Sequence, residues 1–190
     1  LDVSRDASPG VADLDGRPME RNPLKDPRVR RALSVAIDRE AIQRNVMEGQ
    51  SVPAGQMQAV GLGVADPELK PDRYDPARAP ALLAEARLGQ GGPNDRYVND
   101  ERVLQANAQY WQRIGIRVRV DAIPSNMFFP RSAQRAYSAA LTGWQSSAYE
   151  PNNIFAPVLL TEDRSRGWGT VNRHGYSNPR VDALYERAVV

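Results

Sequence analysis

Residues 22–42 read NPLKDPRVRRALSVAIDREAI, and this stretch holds two helix-start signals in succession. Asp26 and Pro27 predict an N-cap and the first helical residue, because an Asp side chain accepts from free backbone N–H groups and proline lacks the N–H that would be unsatisfied there. Asp38 predicts the start of a second helix, and Gly49 predicts its end. Between these caps, apolar residues recur at the helical spacing: Val29, Ala32, Leu33, Ala36 and Ile37.

Helical and strand patterns alternate along the rest of the chain. Helices are predicted from Asp75, over 101–113, from a cap at Ser125, over 152–160, and from a cap at Ser177 or Asn178 to the last residue, where we expect the fold to continue. Strands are predicted over 116–123, where apolar and charged residues alternate, and over 136–144, where small residues indicate a closely packed neighbour. This alternation predicts the α/β class.

The first residues lack such periodicity. Residues 1–25 contain Pro9, Gly10, Gly16 and Pro18, which predict a connecting segment. We therefore expect residues 26–190 to form one α/β unit that follows this segment, a size that suits a single domain.

Composition excludes several classes of protein. The 190 residues include no cysteine, so disulfides, thiolate metal sites and cysteine nucleophiles are excluded. The net charge is only +2, and 23 arginines are interleaved with acidic residues. That mixture is typical of a solvated surface and does not form the long basic stripe of a nucleic-acid-binding domain, which stays open as an alternative. No apolar run approaches the length of a membrane span.

Motifs of catalysis are absent from the sequence. It contains no G-x-S-x-G, no glycine-rich phosphate loop and no H-E-x-x-H. The single histidine, His174, has no nearby pair of carboxylates. A small α/β hydrolase that uses His174 with a serine therefore stays only an alternative, and we expect no catalytic residue, no cofactor and no metal site.

Several segments together resemble the large solute-binding proteins of ABC importers, the dipeptide, oligopeptide and nickel group. The segment 22–42 is similar to that family's D-x-R-V-R-x-A-[LI]-x-x-A-I-D-R-x-A-[IL] pattern. Further similar segments follow in the same order as in the family: VPAGQMQ, KPDRYDPARAPALLAEA, RYVNDERVLQANAQYWQRIGIRVRVDAIP and NRHGYSNPRVDALYERA. The resemblance covers about residues 20–190.

The resemblance implies a fold and a function. It implies that residues 26–190 are most of the second lobe of a two-lobed protein with the type II-like periplasmic-binding fold, a mixed sheet flanked by helices. Such a protein captures a peptide or peptide-like solute between its lobes, in the periplasm or lipid-anchored at a Gram-positive surface, and delivers it to permease subunits. We expect an isolated lobe to bind solute far more weakly. Near residues 90–93 the sequence has GQGG where the family has a hydrophobic strand, so either this member lacks that strand or residues have been deleted there.

The segment GWQSSAYEP, residues 143–151, resembles the family's G-W-x-x-D-Y-x-x-P at the end of a strand that faces the cleft. The family's aspartate, which pairs with a peptide's α-ammonium group, is replaced here by Ser147. Serine cannot neutralise an ammonium group, so a peptide with a free amino terminus is a less suitable ligand than for a full match. Trp144 is predicted to border the cleft, with core filling as the alternative. Gln145, Ser146 and Ser147 are further candidate ligand contacts.

Three more residues are candidate ligand contacts. Met127 and Phe128 are predicted to form an apolar wall of the cleft, or else to fill the core. Asn172 lies in a glycine-punctuated loop at residues 161–177. Trp168 in the same loop either lies at the rim of the cleft or packs on the loop.

Overall fold

The structure is a computed structural model, and it describes residues 1–13, 15–58, 65–79, 87–91, 97–145 and 151–189. The α-helices of this part are α1 (Pro27–Val35), α2 (Arg39–Asn45), α3 (Asp100–Arg113), α4 (Ser125–Ala133), α5 (Asn152–Ile154) and α6 (Pro179–Ala188). Its strands are β1 (Val11–Ala12), β2 (Arg87–Gly91) and β3 (Val118–Val120). Short 3-10 turns cover Pro23–Lys25 and Pro76–Arg78, and a π-helical segment, Phe155–Leu159, continues α5.

The strands form a mixed sheet in the order β1-β2-β3. Strand β1 runs antiparallel to β2, and β3 runs parallel to β2 with an irregular register between Gly89 and Gly91. Helix α3 lies between β2 and β3 in the chain, as expected for a parallel pair, which needs a long crossover. The prediction of an α/β fold with a mixed sheet flanked by helices is confirmed.

The prediction of a missing strand is wrong. Residues 87–91, which read RLGQG, form β2, the central strand of the described sheet. Its backbone pairs with a neighbour on both sides, and that pairing forms the strand without a hydrophobic pattern in the sequence. The helix predicted from Asp75 begins with the turn Pro76–Arg78, and residues 80–86 lie outside the described residues.

Helices α1 and α2 begin as predicted. The Asp26 carboxylate accepts a hydrogen bond from the Arg28 backbone N–H at 2.8 Å, and the Asp38 carboxylate accepts one from the Ala41 backbone N–H at 2.8 Å. Each cap satisfies an N–H group that has no partner inside its helix. The two caps therefore fix where α1 and α2 begin.

The core lies between α1, α3 and the sheet. Leu24 and Ala32 are fully buried, and Leu33 and Ile116 are nearly so. Trp111 of α3 is 8% exposed, and its indole Nε1 donates a hydrogen bond to the Leu33 backbone carbonyl at 3.0 Å. Because a buried indole N–H needs an acceptor, this bond fixes the register of α3 against α1.

The predicted connecting segment, residues 1–25, packs onto this core through Val11 in β1 and Leu24. Its first residues are held by a buried network around Asp2. The Asp2 carboxylate accepts from the Ser4 and Ser8 hydroxyls at 2.8 and 3.0 Å and from Arg5 Nε at 2.9 Å. A buried charge of this kind is tolerated only when it is paired and hydrogen-bonded.

Three local predictions differ from the structure. Ser125 does not cap α4: the helix begins at Ser125 itself after Pro124, and no side chain caps it. Residues 136–145 form no strand, because the Ser138 carbonyl accepts from the Asp2 N–H and the Gly143 carbonyl accepts from a side chain. Strand β3 covers only the middle of the predicted 116–123. Of the two caps predicted for α6, the structure has Asn178, which accepts from the Arg180 N–H at 3.0 Å.

No helix in the described ranges is both long and apolar enough to span a membrane.

Candidate functional site

A cavity of about 880 Å³ lies beside α4 and the segment that follows it. It is bordered by α4, residues 137–145, the α5 region and the first residues of the chain. The loop of residues 161–177 borders it through Val171, Arg173 and His174. A volume of this size suits a small-molecule or short-peptide ligand. Its lining has two chemically different parts, which we call the aromatic wall and the basic wall.

The aromatic wall consists of Tyr97, Phe128, Phe129, Tyr137 and Trp144. Phe128 is 1% exposed, so it fills the interior behind the other rings, which agrees with the core-filling alternative, and offers almost no surface of its own. The Phe128 ring meets Phe129 edge to face at 5.3 Å between centroids and stacks on Tyr137 at 5.6 Å. These contacts hold the rings in place, so the wall offers a rigid apolar surface.

Trp144 lies at the border of the cavity and does not fill the core. Its side chain is 44% exposed, and the indole Nε1 donates a hydrogen bond to Asn153 Oδ1 at 2.8 Å. The preceding Gly143 is in close contact with Tyr97, whose hydroxyl donates to the Gly143 carbonyl at 2.8 Å. A Cβ on Gly143 would lie 2.7 Å from the Tyr97 ring, so only glycine fits there without a shift. Tyr97 and Asn153 thus fix the position of Trp144.

The basic wall consists of Arg135, Arg173 and His174. Arg135 follows α4 with a left-handed φ of 54°, and its Nη2 donates to Glu162 Oε2 at 3.0 Å. The Arg173 guanidinium has neither an ion pair nor a hydrogen bond with the residues that the structure describes. Burial lowers the pKa of His174, and the positive charge of Arg135 acts in the same direction, so the uncharged form of the imidazole is favoured.

The structure brings Trp144, Gln145 and Phe128 together at the cavity. Ser146 and Ser147 lie outside the described residues.

Two candidate ligand contacts lie elsewhere. Met127 is 44% exposed on α4 but is not among the cavity residues, since the helix turns its neighbours Phe128 and Phe129 toward the cavity instead. Asn172 is 4% exposed, and its amide donates to the Leu160 and Tyr176 carbonyls at 3.0 and 2.6 Å. The Asn172 amide is used in hydrogen bonds within the protein, and Met127 does not line the cavity. Neither residue is therefore part of the site that we propose.

Tyr97, Arg135 and Arg173 are the main site residues that the sequence reasoning missed. The small residues of 136–144, Gly143 among them, indicated a closely packed neighbour. Nothing in the local sequence identified Tyr97 as that neighbour. Arg135 and Arg173 are 38 positions apart in the sequence, and only the folded chain brings them to one wall. Trp168 packs under the Arg166 guanidinium and against the Tyr185 ring. Of the two positions predicted for it, the structure therefore has the one packed on the loop.

The alternative functions gain no support. Within the described ranges, no hydrogen bond joins the His174 ring to a serine hydroxyl, and no cluster of His, Asp and Glu could hold a metal ion. Several arginines form ion pairs with nearby acids, among them Arg28 with Asp26 and Arg31 with Asp72. Neighbouring opposite charges of this kind weaken the field that nucleic-acid binding requires.

Comparison with known proteins shows which family the chain resembles. Residues 8–165 match a family model described as bacterial extracellular solute-binding proteins, family 5 Middle. Heme-binding protein A of Haemophilus influenzae is 26% identical over 179 residues, which are 90% of this chain and 32% of that protein. The dipeptide-binding protein of Escherichia coli is 25% identical over 158 residues, which are 78% of this chain and 30% of that protein.

Solved structures show the same fold. The dipeptide-binding protein from Pseudoalteromonas sp. SM9913, in complex with Met-Leu, has a TM-score of 0.74 at 23% identity and covers 94% of this chain and 36% of that one. A periplasmic binding protein from Helicobacter pylori, in complex with the peptide STSA, has a TM-score of 0.76 at 18% identity, with 95% and 36% covered. The fold is therefore part of the type II-like periplasmic-binding fold.

The chain spans about a third of the length of the curated relatives it matches. The family match, in contrast, covers most of this chain and runs through α1 to α5 and into the loop beyond. The chain belongs to the bacterial extracellular solute-binding proteins of family 5.

Proposed function

We propose that this chain is the solute-binding part of an ABC importer that captures a peptide or peptide-like small solute. The observation that carries the proposal is the cavity beside α4, which is bordered by an aromatic wall that includes Trp144. Family membership supports the same function, since relatives with this fold include proteins named for dipeptide and heme binding.

The proposed mechanism is capture between two lobes. Residues 26–190 form most of one lobe, and a second lobe of the same protein closes over the cavity. Closure excludes water, which strengthens polar contacts to the solute. The closed form then docks on the permease subunits of the importer. We place the protein in the periplasm, with lipid anchoring at a Gram-positive surface as the alternative setting.

Trp144 is the residue that we propose packs against the solute. Its indole N–H is already bonded to Asn153, so the ring is held in one orientation while nearly half of its surface stays open. A rigid, partly exposed aromatic ring loses little conformational freedom on binding, and this favours affinity. Gln145 supplies a neighbouring polar group at the same border.

The test combines identification of the solute with a variant. Native mass spectrometry of the protein purified from its own host identifies a solute that co-purifies, and calorimetry with free and N-acetylated di- to pentapeptides measures affinity. We expect Trp144→Ala to weaken peptide binding about tenfold or more, the loss typical of an aromatic anchor. Trp168→Ala is the matched control, because Trp168 packs on Tyr185 away from the cavity. Absence of both a co-purified solute and peptide binding would contradict the proposed function.

A further inference from the structure

Met57 borders the cavity from the loop that follows α2, which we call the α2 loop and which is described over residues 46–58 and 65–75. The Met57 side chain is 48% exposed. Met127 on α4 is exposed to nearly the same extent, 44%, but does not line the cavity. Single exposed apolar side chains are common on protein surfaces. The position of Met57 at the cavity, and not its exposure, therefore distinguishes it from Met127.

The α2 loop is held in place before Met57. Gln43 of α2 donates a hydrogen bond through Nε2 to the Ser51 carbonyl at 2.8 Å. Gly55 lies so close to residues 69–70 that a Cβ at this position would collide with the Lys70 carbonyl group. Because only glycine permits this approach, the two described parts of the loop pack directly on each other.

The residues on either side of Met57 are fixed in two different ways. The Gln56 side chain donates through Nε2 to the Asp66 carbonyl at 2.6 Å, and its Oε1 accepts from the Asp66 N–H at 3.0 Å. Gln58 is buried, with 7% of its surface exposed. Met57 is thus held between a hydrogen-bonded and a buried residue while its own side chain is half open. A group that is positioned before binding loses less entropy when a ligand arrives.

The chemistry of Met57 complements that of the aromatic wall. A methionine side chain is unbranched and polarizable, so it adapts to apolar groups of different shape and packs well on aromatic rings. The wall, in contrast, offers rings in fixed positions, of which Trp144 is 44% and Phe129 37% exposed. One adaptable and several fixed apolar groups at the same cavity suit an apolar side chain of a ligand.

We propose that Met57 is a specificity-determining residue: an apolar or aromatic side chain of the solute contacts both Met57 and the aromatic wall, and Gln56 positions Met57 for this contact. This inference rests on the proposed function and narrows its substrate class to solutes that carry such a side chain. It also gives the segment VPAGQMQ, residues 52–58, a role at the cavity.

The first experiment measures protection of Met57 from oxidation in the full-length protein. Hydrogen peroxide converts the thioether of methionine to a sulfoxide, with water as the second product. Peptide mapping by mass spectrometry gives the rate for each methionine, with and without N-acetyl-Ala-Phe-Ala-amide. At ten times the Kd of this probe, about a tenth of the protein is free. We therefore expect the oxidation of Met57 to slow about tenfold and that of Met127 to stay unchanged.

The second experiment compares the affinity for this peptide with that for N-acetyl-Ala-Ala-Ala-amide by calorimetry. We expect the phenylalanine peptide to bind about tenfold more tightly, because part of its ring is buried. Met57→Ala is expected to reduce this preference to about threefold or less. Met57→Leu nearly conserves the volume and is expected to keep most of it. Met127→Ala is the matched control, with the same truncation at a similarly exposed position, and is expected to keep all of it.

Variants of Gln56 test its positioning role. Gln56→Ala removes both hydrogen bonds to Asp66, so we expect a reduced preference for the phenylalanine peptide at an unchanged affinity for the alanine peptide. A merely structural role would lower both affinities together. Gln56→Glu keeps the acceptor for the Asp66 N–H and loses the donor, so its preference is expected to lie between those of the wild type and Gln56→Ala.

Four results would overturn the inference. They are equal affinity for the two peptides, an undiminished preference in Met57→Ala, binding of the phenylalanine peptide without protection of Met57, and a Met57 that oxidises far more slowly than Met127 before any probe is added. The last result means that another part of the protein covers Met57.

The outcomes also separate this inference from the proposed function. Peptides that bind without a preference for phenylalanine leave the function standing and remove the role of Met57. If no peptide binds, N-phenyl-1-naphthylamine, a neutral dye that fluoresces in apolar cavities, tests the contact alone. The apolar contact at Met57 stands if the dye slows the oxidation of Met57 but not that of Met127, and it is refuted if both rates stay unchanged.

Discussion

Gly143→Ala tests how the border of the cavity is built. The new Cβ would lie 2.7 Å from two carbons of the Tyr97 ring and 3.1 Å from its hydroxyl oxygen. Carbon atoms in contact normally lie about 3.5–4.0 Å apart. The Tyr97 ring therefore has to move by about 1 Å, a shift that breaks its 2.8 Å hydrogen bond to the Gly143 carbonyl.

The expected cost is about 1–3 kcal/mol in the free energy of unfolding, the range for overpacking a well-packed site. Roughly 1 kcal/mol of that is the lost hydrogen bond. In a chain of this size each kcal/mol lowers Tm by roughly 2–4 °C. Urea unfolding followed by circular dichroism measures the change through the midpoint concentration at constant slope.

Variants at Tyr97 separate the clash from other effects. Tyr97→Phe removes only the hydroxyl and should cost roughly 1 kcal/mol. In a Tyr97→Ala background there is no ring to meet, so Gly143→Ala should cost little, and the double-mutant cycle should give a coupling of about 1–2 kcal/mol. The reasoning fails if Gly143→Ala is equally destabilising with and without the Tyr97 ring.

Two further predictions concern stability. Trp111→Phe removes the buried indole donor and leaves the Leu33 carbonyl unpaired, so we expect a loss of about 1–3 kcal/mol in urea unfolding, and a loss below the error of the measurement would contradict the assigned bond. Burial would raise the pKa of Asp2, but hydrogen bonds from two serines and Arg5 together hold it below its usual value. A carboxyl with a lowered pKa stabilises the fold at neutral pH, and this stabilisation is lost as the pH falls below about 5 toward the folded-state pKa. Asp2→Asn should therefore flatten the acid side of the stability–pH profile, and an unchanged profile would refute the role of Asp2.

The sequence alone was sufficient wherever the determinants are local. Asp26 and Asp38 cap the helices that follow them, because a cap involves residues only two or three positions apart. The apolar spacing of α1 likewise identified residues that are buried in the core, among them Leu33. Trp144 was placed at a cleft by resemblance, and it lies at the border of the cavity.

The tertiary structure decided what depends on distant pairing. Strand β2 has two glycines and no hydrophobic pattern, and it exists because β1 and β3 pair with its backbone from both sides. The segment 136–144 has the composition of a strand, but two of its carbonyls accept hydrogen bonds from Asp2 and Tyr97. No local pattern encodes such partners.

The same division holds for the site. Local sequence marked Trp144, Gln145 and Phe128, which the structure brings to one cavity. Arg135 and Arg173 reach a common wall only because α4 and the loop after Leu160 fold against each other, and of the two only Arg173 has no acidic partner among the described residues, since Arg135 pairs with Glu162. The alternation of helical and strand patterns determined that the chain is an α/β protein, and its composition determined the near balance of its charges. The sign of the potential inside its cavity was set by the three-dimensional arrangement, since it depends on which charges are paired and which stay open.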